Sequence, residues 1–126
     1  MGMLDWLRRD SSTNGVRRPG TEPMRILKID GEHSLTFDCG DLQVDDEVVL
    51  AGHTHNGYFW EGVATLLRPD LAVRLEFDSE GGMFSASGSR KDLLQLRRSL
   101  EPVLKDPALI RGLIEGAQTE GFQFDD

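Results

Sequence analysis

Residues 24–37 read MRILKIDGEHSLTF, a segment with the pattern of a β-hairpin. Apolar residues lead into Asp30-Gly31, a pair that favours the two-residue turn between antiparallel strands. After the turn, Leu35 and Phe37 alternate with polar residues, as they do in a strand with one buried face. The segment therefore predicts two antiparallel strands joined by a tight turn.

Further along the chain, residues 71–87 predict a second hairpin. Apolar and polar residues alternate over residues 71–77, which gives one apolar face and one largely charged face. A glycine-containing turn follows at residues 79–82, and residues 83–87 return as the antiparallel partner. Between the two hairpins, the β-branched run at residues 48–50 predicts another short strand.

Three helices are predicted as well. Asn56 is a suitable N-cap for a helix that ends before Pro69, Ser89 opens a second helix, and Asp106 opens a third. Each of these segments has apolar residues at helical spacing. The predicted fold class is α+β: an antiparallel sheet of two hairpins plus a short strand, with about three helices packed on one face.

The composition is that of a globular protein with an acidic balance. The chain has 126 residues, 14 basic and 22 acidic, and a net charge of −8, which disfavours binding to a nucleic-acid backbone. The single cysteine, Cys39, cannot form an internal disulfide, and the first nine residues lack the order of a secretory signal. We therefore expect a cytoplasmic protein without a membrane span.

The first 23 residues differ from the rest of the chain. They are dense in turn-forming residues, and residues 1–20 carry four Arg and two acids, a charge of +2. This leaves −10 for residues 21–126. We expect residues 1–23 to form a flexible lead-in and residues 24–126 to form a single α+β domain.

A long acidic window is the most unusual feature of the sequence. From Ile29 through Leu67 there is no Lys or Arg, whereas eight residues are acidic. Such a window is typical either of a solvated face that maintains solubility or of a docking surface for a basic partner. Aromatic residues in the same window could anchor a partner, although Trp60 has the helical spacing of a core residue. The residues predicted to bind a partner are Asp38, Asp41, Asp45, Asp46, Glu47, His53, His55, Tyr58 and Glu61.

The same window suggests a metal site as an alternative. His53 and His55 could share a metal ion, with Cys39 or His33 as a third ligand. However, no second ligand pair lies at zinc-site spacing, so loop histidines in solvent or at an interface are the favoured interpretation. The carboxylate of Asp38 beside Cys39 disfavours an activated thiol. We predict no catalytic residue, metal or cofactor, and keep a metal-dependent hydrolase or metal sensor as the second hypothesis.

Two motifs are similar to a known family. Residues 56–64 read NGYFWEGVA, residues 77–86 read FDSEGGMFSA, and a Leu-rich helical stretch follows. From residue 52 to the last residue, the chain resembles the immunity protein 51 family of bacterial polymorphic toxin systems. The positions characteristic of that family fall on Gly57, Tyr58, Trp60, Phe77, Asp78, Met83 and Phe84.

The resemblance implies a small, non-catalytic α+β protein of the bacterial cytoplasm that binds and neutralises a cognate toxin domain. Many toxins of such systems are nucleases with basic clefts, and an acidic inhibitor would mimic the phosphates that it displaces. Asp78 is then expected to cap the turn of the second hairpin. A third hypothesis is a homodimeric adaptor, whose seam would be the apolar stripe of the last two helices.

Overall fold

The computed structural model describes residues 24–126, and the predicted lead-in of residues 1–23 lies outside these described residues. The α+β class is confirmed, with five helices in this part of the chain rather than about three. None of them is long and apolar enough to cross a membrane. In chain order, the elements are β1 (Arg25–Ile29), β2 (Glu32–Asp38), α1 (Asp45–Leu50), α2 (Gly57–Leu67), α3 (Pro69–Ala72), β3 (Glu76–Phe77), β4 (Met83–Gly88), α4 (Arg90–Lys105) and α5 (Pro107–Thr119).

The described strands form one antiparallel sheet in the order β1-β2-β4-β3. The first predicted hairpin is confirmed, and Ile29 pairs with Glu32 across its turn. Asp30 (φ 54°) and Gly31 (φ 81°) both adopt the left-handed conformation that a type I′ turn requires. Because β4 pairs with β2, the second hairpin extends the sheet of the first.

One face of the sheet carries the core. Leu35 and Phe37 on β2 pair with Ala86 and Phe84 on β4, and all four are fully buried. They form one cluster with the buried residues of the helices. For example, the Phe37 ring meets the Trp60 ring edge to face at a centroid distance of 5.8 Å. The helices therefore pack on this face, as the sequence predicts.

The opposite face of the sheet is called the open face below. Side chains alternate between the two faces along a strand, so the neighbours of the buried residues belong to it. Its residues are Arg25, Leu27, Ile29, Glu32, Ser34, Thr36, Asp38, Glu76, Asp78, Met83, Ser85 and Ser87.

The prediction of a strand at residues 48–50 is wrong, because these residues form the end of helix α1. Three acidic residues occupy the first turn of α1, where the helix dipole favours negative charge. Val44 and Val48 are buried four residues apart, whereas Val49 and Leu50 are 55% and 80% exposed. This burial follows helical spacing, so tertiary packing outweighs the β propensity of the run.

The prediction of a strand over residues 71–77 is wrong for most of its length, because only the two residues of β3 are in a strand. Pro69 instead begins α3, a position where proline is favourable. Leu71 and Leu75 are buried, but Val73 between them is 84% exposed. Helix α3 ends at Ala72, and in the turn that follows the N–H of Arg74 donates to the carbonyl of Leu71 at 2.9 Å, so residues 73–75 are not extended and the alternation does not mark a strand.

The predicted helix starts are confirmed. The Asn56 side chain accepts a hydrogen bond from the N–H of Phe59 at 2.9 Å, and the Ser89 hydroxyl accepts one from the N–H of Asp92 at 3.1 Å. Asp106 caps α5 in the same way.

The apolar stripes of α4 and α5 lie in the core of the chain. Leu96, Leu100, Ile110 and Ile114 are each no more than 1% exposed. These residues would have formed the seam of the homodimeric adaptor. Since they are already covered within the chain, this seam is not on the surface.

Candidate partner-binding surface

Three segments meet at one end of the sheet. The N–H of Cys39, just after β2, donates to the carbonyl of Gly82 in the β3–β4 turn at 2.9 Å. The N–H of Gly57, the first residue of α2, donates to the carbonyl of Glu80 in the same turn at 3.1 Å. The end of β2, the start of α2 and the β3–β4 turn are therefore neighbours.

Gly57 permits this close approach. A Cβ atom at this position would lie 2.3 Å from the carbonyl oxygen of Met83 and 2.4 Å from that of Glu80. No side chain fits against these backbone atoms without a shift. The glycine of the NGYFWEGVA motif is thus explained by contact between α2 and the turn.

Four exposed carboxylates gather at this end: Asp38, Asp41, Asp78 and Glu80. We call this group the acidic end. None of the four forms an ion pair within residues 24–126. Residues 29–67 and 75–89, which supply all four, contain no Lys or Arg. The segments that supply the acidic end therefore contribute only negative charge, and Arg25, which pairs with Thr36 on the neighbouring strand, is a cation on the same face as Asp38.

Two members of the acidic end are not among the residues predicted from the sequence to bind a partner. Asp78 and Glu80 lie outside the acidic window, and the sheet pairing brings their turn to the end of β2 that carries Asp38. The absence of Lys and Arg from residues 75–89 is a signal that could have found them.

The acidic window itself does not form a single face. Asp30 and Glu32 lie at the β1–β2 turn, and Asp38 lies at the far end of the seven-residue strand β2. At about 3.3 Å per residue, the two ends are roughly 20 Å apart. The acidic residues of this window therefore lie at two opposite ends of the sheet.

Glu61 has a structural role. Its carboxylate accepts a hydrogen bond from the N–H of Ser79 at 3.1 Å and so ties α2 to the β3–β4 turn. Asp78 was expected to cap this turn, but Glu61 holds it instead. Asp78 is exposed, and its own N–H donates to the carbonyl of Ser85 at 2.9 Å.

Glu47 is also engaged. Its two carboxylate oxygens accept hydrogen bonds from the Arg111 guanidinium at 2.9 and 3.1 Å, which joins α1 to α5. These hydrogen bonds lower the pKa of Glu47. Asp46, its neighbour on α1, is exposed and remains available to a partner.

Asp45 is buried at the start of α1. One carboxylate oxygen accepts a hydrogen bond from the N–H of Leu42 at 3.1 Å, and the other is buried without a hydrogen-bond partner. Burial raises the pKa of Asp45, while the Leu42 N–H and the nearby His55 ring oppose that shift. The His55 Nδ1 atom lies 4.0 Å from the carboxylate.

His53 fastens the last described residues to the start of α2. Its Nδ1 atom lies 3.1 Å from a carboxylate oxygen of Asp126, and its Nε2 atom lies 3.3 Å from the Gln118 side-chain amide. The His53 ring also contacts the rings of Phe59 and Phe124 at 5.6 and 4.8 Å. This histidine is therefore a packing residue rather than a free surface group.

The three histidines do not converge on a metal site. His53 faces Asp126, whereas His55 faces Asp45. His33 pairs with Lys28 near the other end of β2. Within residues 24–126, no group of three His, Cys, Asp or Glu residues could hold a metal ion.

The Cys39 thiol is not activated. Burial raises its pKa from 9.0 to about 12, a hydrogen bond from the Phe84 backbone opposes the shift, and the charges of Asp45 and Asp38 add to it. The predicted direction is therefore confirmed, with burial rather than charge as the main cause.

Tyr58 is the aromatic residue of the acidic window that reaches the surface. It is 40% exposed and follows Gly57 at the acidic end, whereas Phe59 and Trp60 are fully buried. The predicted site thus separates into surface residues and structural ones. Asp38, Asp41, Asp46, His55 and Tyr58 have solvent-accessible side chains, while Asp45, Glu47, His53 and Glu61 hold elements together.

The amino-acid sequence matches a known family. The model of the family described as Immunity protein 51 matches residues 26–119, about three quarters of the chain, from β1 to the end of α5. The chain belongs to the immunity protein 51 family. No curated protein and no solved structure matches it.

Membership of the immunity protein 51 family confirms the resemblance inferred from the two motifs and extends it to the first hairpin. The match includes all four residues of the acidic end. An immunity protein acts on a protein toxin, so family membership implies a protein partner. In this family member, the motif residues Trp60, Phe77 and Phe84 pack in or against the core. Gly57, Asp78 and Met83 lie at the β3–β4 turn, and Tyr58 is exposed next to Gly57.

Proposed function

We propose that this immunity protein neutralises a cognate toxin domain by binding to it through the acidic end, without catalysis. The observation that carries the proposal is that four exposed carboxylates, unpaired within residues 24–126, come from two separate segments, the end of β2 and the β3–β4 turn, in a member of an immunity family. Neighbouring carboxylates without a cation partner repel one another, and a partner that supplies positive charge would relieve this repulsion.

The partner is proposed to be a basic toxin domain, with a nuclease as the leading class. A nuclease binds the phosphates of its substrate with Lys and Arg, and a group of carboxylates can take the place of those phosphates. Charge complementarity of this kind speeds association and selects against neutral or acidic surfaces. It also makes binding dependent on ionic strength.

Tyr58 is proposed to supply an anchor within this surface. Tyrosine combines a large apolar ring with a hydroxyl and is enriched among the residues that dominate binding energies. Its backbone position is set by Gly57, whose N–H is hydrogen-bonded to Glu80. We propose that residues 24–126 form a single domain, that this domain carries the whole binding activity, and that the protein acts in the cytoplasm.

Co-expression tests this proposal. The toxin domain encoded by the adjacent gene is produced in bacteria with the full-length wild-type chain or with the double variant Asp78→Lys/Glu80→Lys. The matched control is Glu115→Lys/Glu120→Lys, which reverses two exposed charges outside the acidic end. We expect the wild type and the control to restore growth and to co-elute with the toxin, and the Asp78/Glu80 variant to do neither. Failure of the wild type to rescue growth or to form a complex would refute the proposed function.

A further inference from the structure

The open face of the sheet lies opposite all five helices of the described chain and carries exposed apolar side chains. Leu27 is 40% exposed and Ile29 is 59% exposed, and both belong to β1 at the edge of the sheet. Leu27 and Ile29 are neighbours on this face and form a small contiguous apolar patch that a partner could cover.

Hydroxyl groups line the middle of the open face. The hydroxyls of Ser34 and Ser87 lie 3.0 Å apart across β2 and β4. Thr36, next along β2, is 6% exposed, and its hydroxyl oxygen has no hydrogen-bond partner. The half-buried hydroxyls of Ser34 and Ser87 are accessible to polar groups of a partner, whereas the Thr36 hydroxyl lies beneath the surface.

Charge on the open face is mostly negative. Glu32, Asp38, Glu76 and Asp78 are exposed on it, and Arg25 is its one cation among the described residues. These carboxylates lie around the rim, with the hydroxyls between them. The arrangement complements a partner that has basic groups around an apolar and polar centre.

The open face is continuous with the acidic end, because Asp38 and Asp78 belong to both. Four strands spaced about 4.8 Å apart and a strand about 20 Å long give a face of roughly 300 Å². A specific interface covers about 800 Å² on each partner. The open face alone is therefore smaller than such an interface, and the acidic end continues it into one larger surface.

We propose that the toxin domain docks across the open face as well as the acidic end, with Leu27 and Ile29 as its apolar anchors. This inference rests on the function proposed above and names the rest of the same interface. The occupant is a basic protein domain that places an apolar patch over β1 and polar groups over the hydroxyls of β2 and β4.

The experiment measures binding of the full-length chain to the purified toxin domain of the adjacent gene by isothermal titration calorimetry. The test variant is Leu27→Asp/Ile29→Asp, and Leu27→Ala/Ile29→Ala is a milder version that preserves the strand. The control is Val73→Asp, which places one negative charge on an apolar residue that is 84% exposed and lies outside the open face. Circular dichroism and thermal unfolding establish that each variant is folded.

We expect the aspartate variant to bind at least 100-fold more weakly than the wild type, the alanine variant about 10-fold more weakly, and Val73→Asp with unchanged affinity. Equal affinity of the wild type and the folded alanine variant would overturn this inference, even if Asp78→Lys/Glu80→Lys abolishes binding. In that case the acidic end alone is the interface and the proposed function stands. Absence of binding by the wild type would instead refute the proposed function itself.

Discussion

The Glu61 carboxylate accepts a hydrogen bond from the backbone N–H of Ser79 at 3.1 Å, so a residue of α2 holds the turn that carries Asp78 and Glu80. The geometry of the acidic end therefore depends on a side chain that does not belong to it. Loss of that side chain is expected to affect both stability and toxin binding.

Glu61→Ala is expected to lower the free energy of unfolding by about 2 kcal/mol, because it leaves the Ser79 N–H without its charged acceptor. Glu61→Gln retains an acceptor oxygen and is expected to lose less than half as much. Urea denaturation of both variants measures the difference. Equal losses in the two variants would show that this hydrogen bond does not support the turn.

Gly57→Ala is expected to destabilise the protein by about 2–3 kcal/mol, because the new Cβ would overlap the carbonyl oxygens of Met83 and Glu80. The control is Gly112→Ala in α5, where a Cβ would meet no atom within 4 Å. That change is expected to stabilise the protein by about 0.5–1 kcal/mol through helix propensity. Thermal unfolding of the pair provides the test, and a neutral Gly57→Ala would contradict the observed contact.

The Cys39 thiol is expected to be unreactive in the folded protein. Its pKa is raised from 9.0 to about 12, so its thiolate fraction at pH 8 is about a thousand times lower than that of an unfolded cysteine. Reaction with Ellman's reagent at pH 8, with and without urea, measures this ratio. Rapid labelling of the folded protein would contradict this prediction and would favour Cys39 as a reactive nucleophile.

Asp45→Asn is expected to stabilise the protein more at pH 7 than at pH 4. A carboxyl whose pKa is raised on folding contributes most below its ordinary pKa of 3.8, and its contribution is lost as the pH rises through the raised value. The asparagine does not titrate and retains an oxygen to accept from the Leu42 N–H. Denaturant midpoints at the two pH values test the sign, and a larger gain at pH 4 would contradict it.

Local signals predicted much of the fold. The Asp30-Gly31 turn and the caps at Asn56, Ser89 and Asp106 depend on residues within a few positions of one another, and all are confirmed. Residues 48–50 and 71–77 were misassigned because their burial is decided by distant partners. Val73 alternates with apolar neighbours in sequence but is 84% exposed in the fold.

The candidate surface could be predicted only in part. Asp38 and Asp41 were identified from the acidic window, whereas Asp78 and Glu80 reach them through the pairing of β4 with β2. Glu47 and Glu61 were assigned to the surface because their partners, Arg111 and Ser79, are 64 and 18 residues away in sequence. Contacts at that separation leave no local pattern.

The most direct test of the central claim is the affinity of the toxin domain for the wild type and for Asp38→Lys/Asp41→Lys, measured at 50 and 300 mM salt. The account predicts that the charge reversal weakens binding at least 100-fold at low salt. It also predicts that the affinity of the wild type falls as the salt concentration rises. The control Glu115→Lys/Glu120→Lys is expected to behave as the wild type. Wild-type affinity in the reversed variant, or binding that does not change with salt, would contradict it.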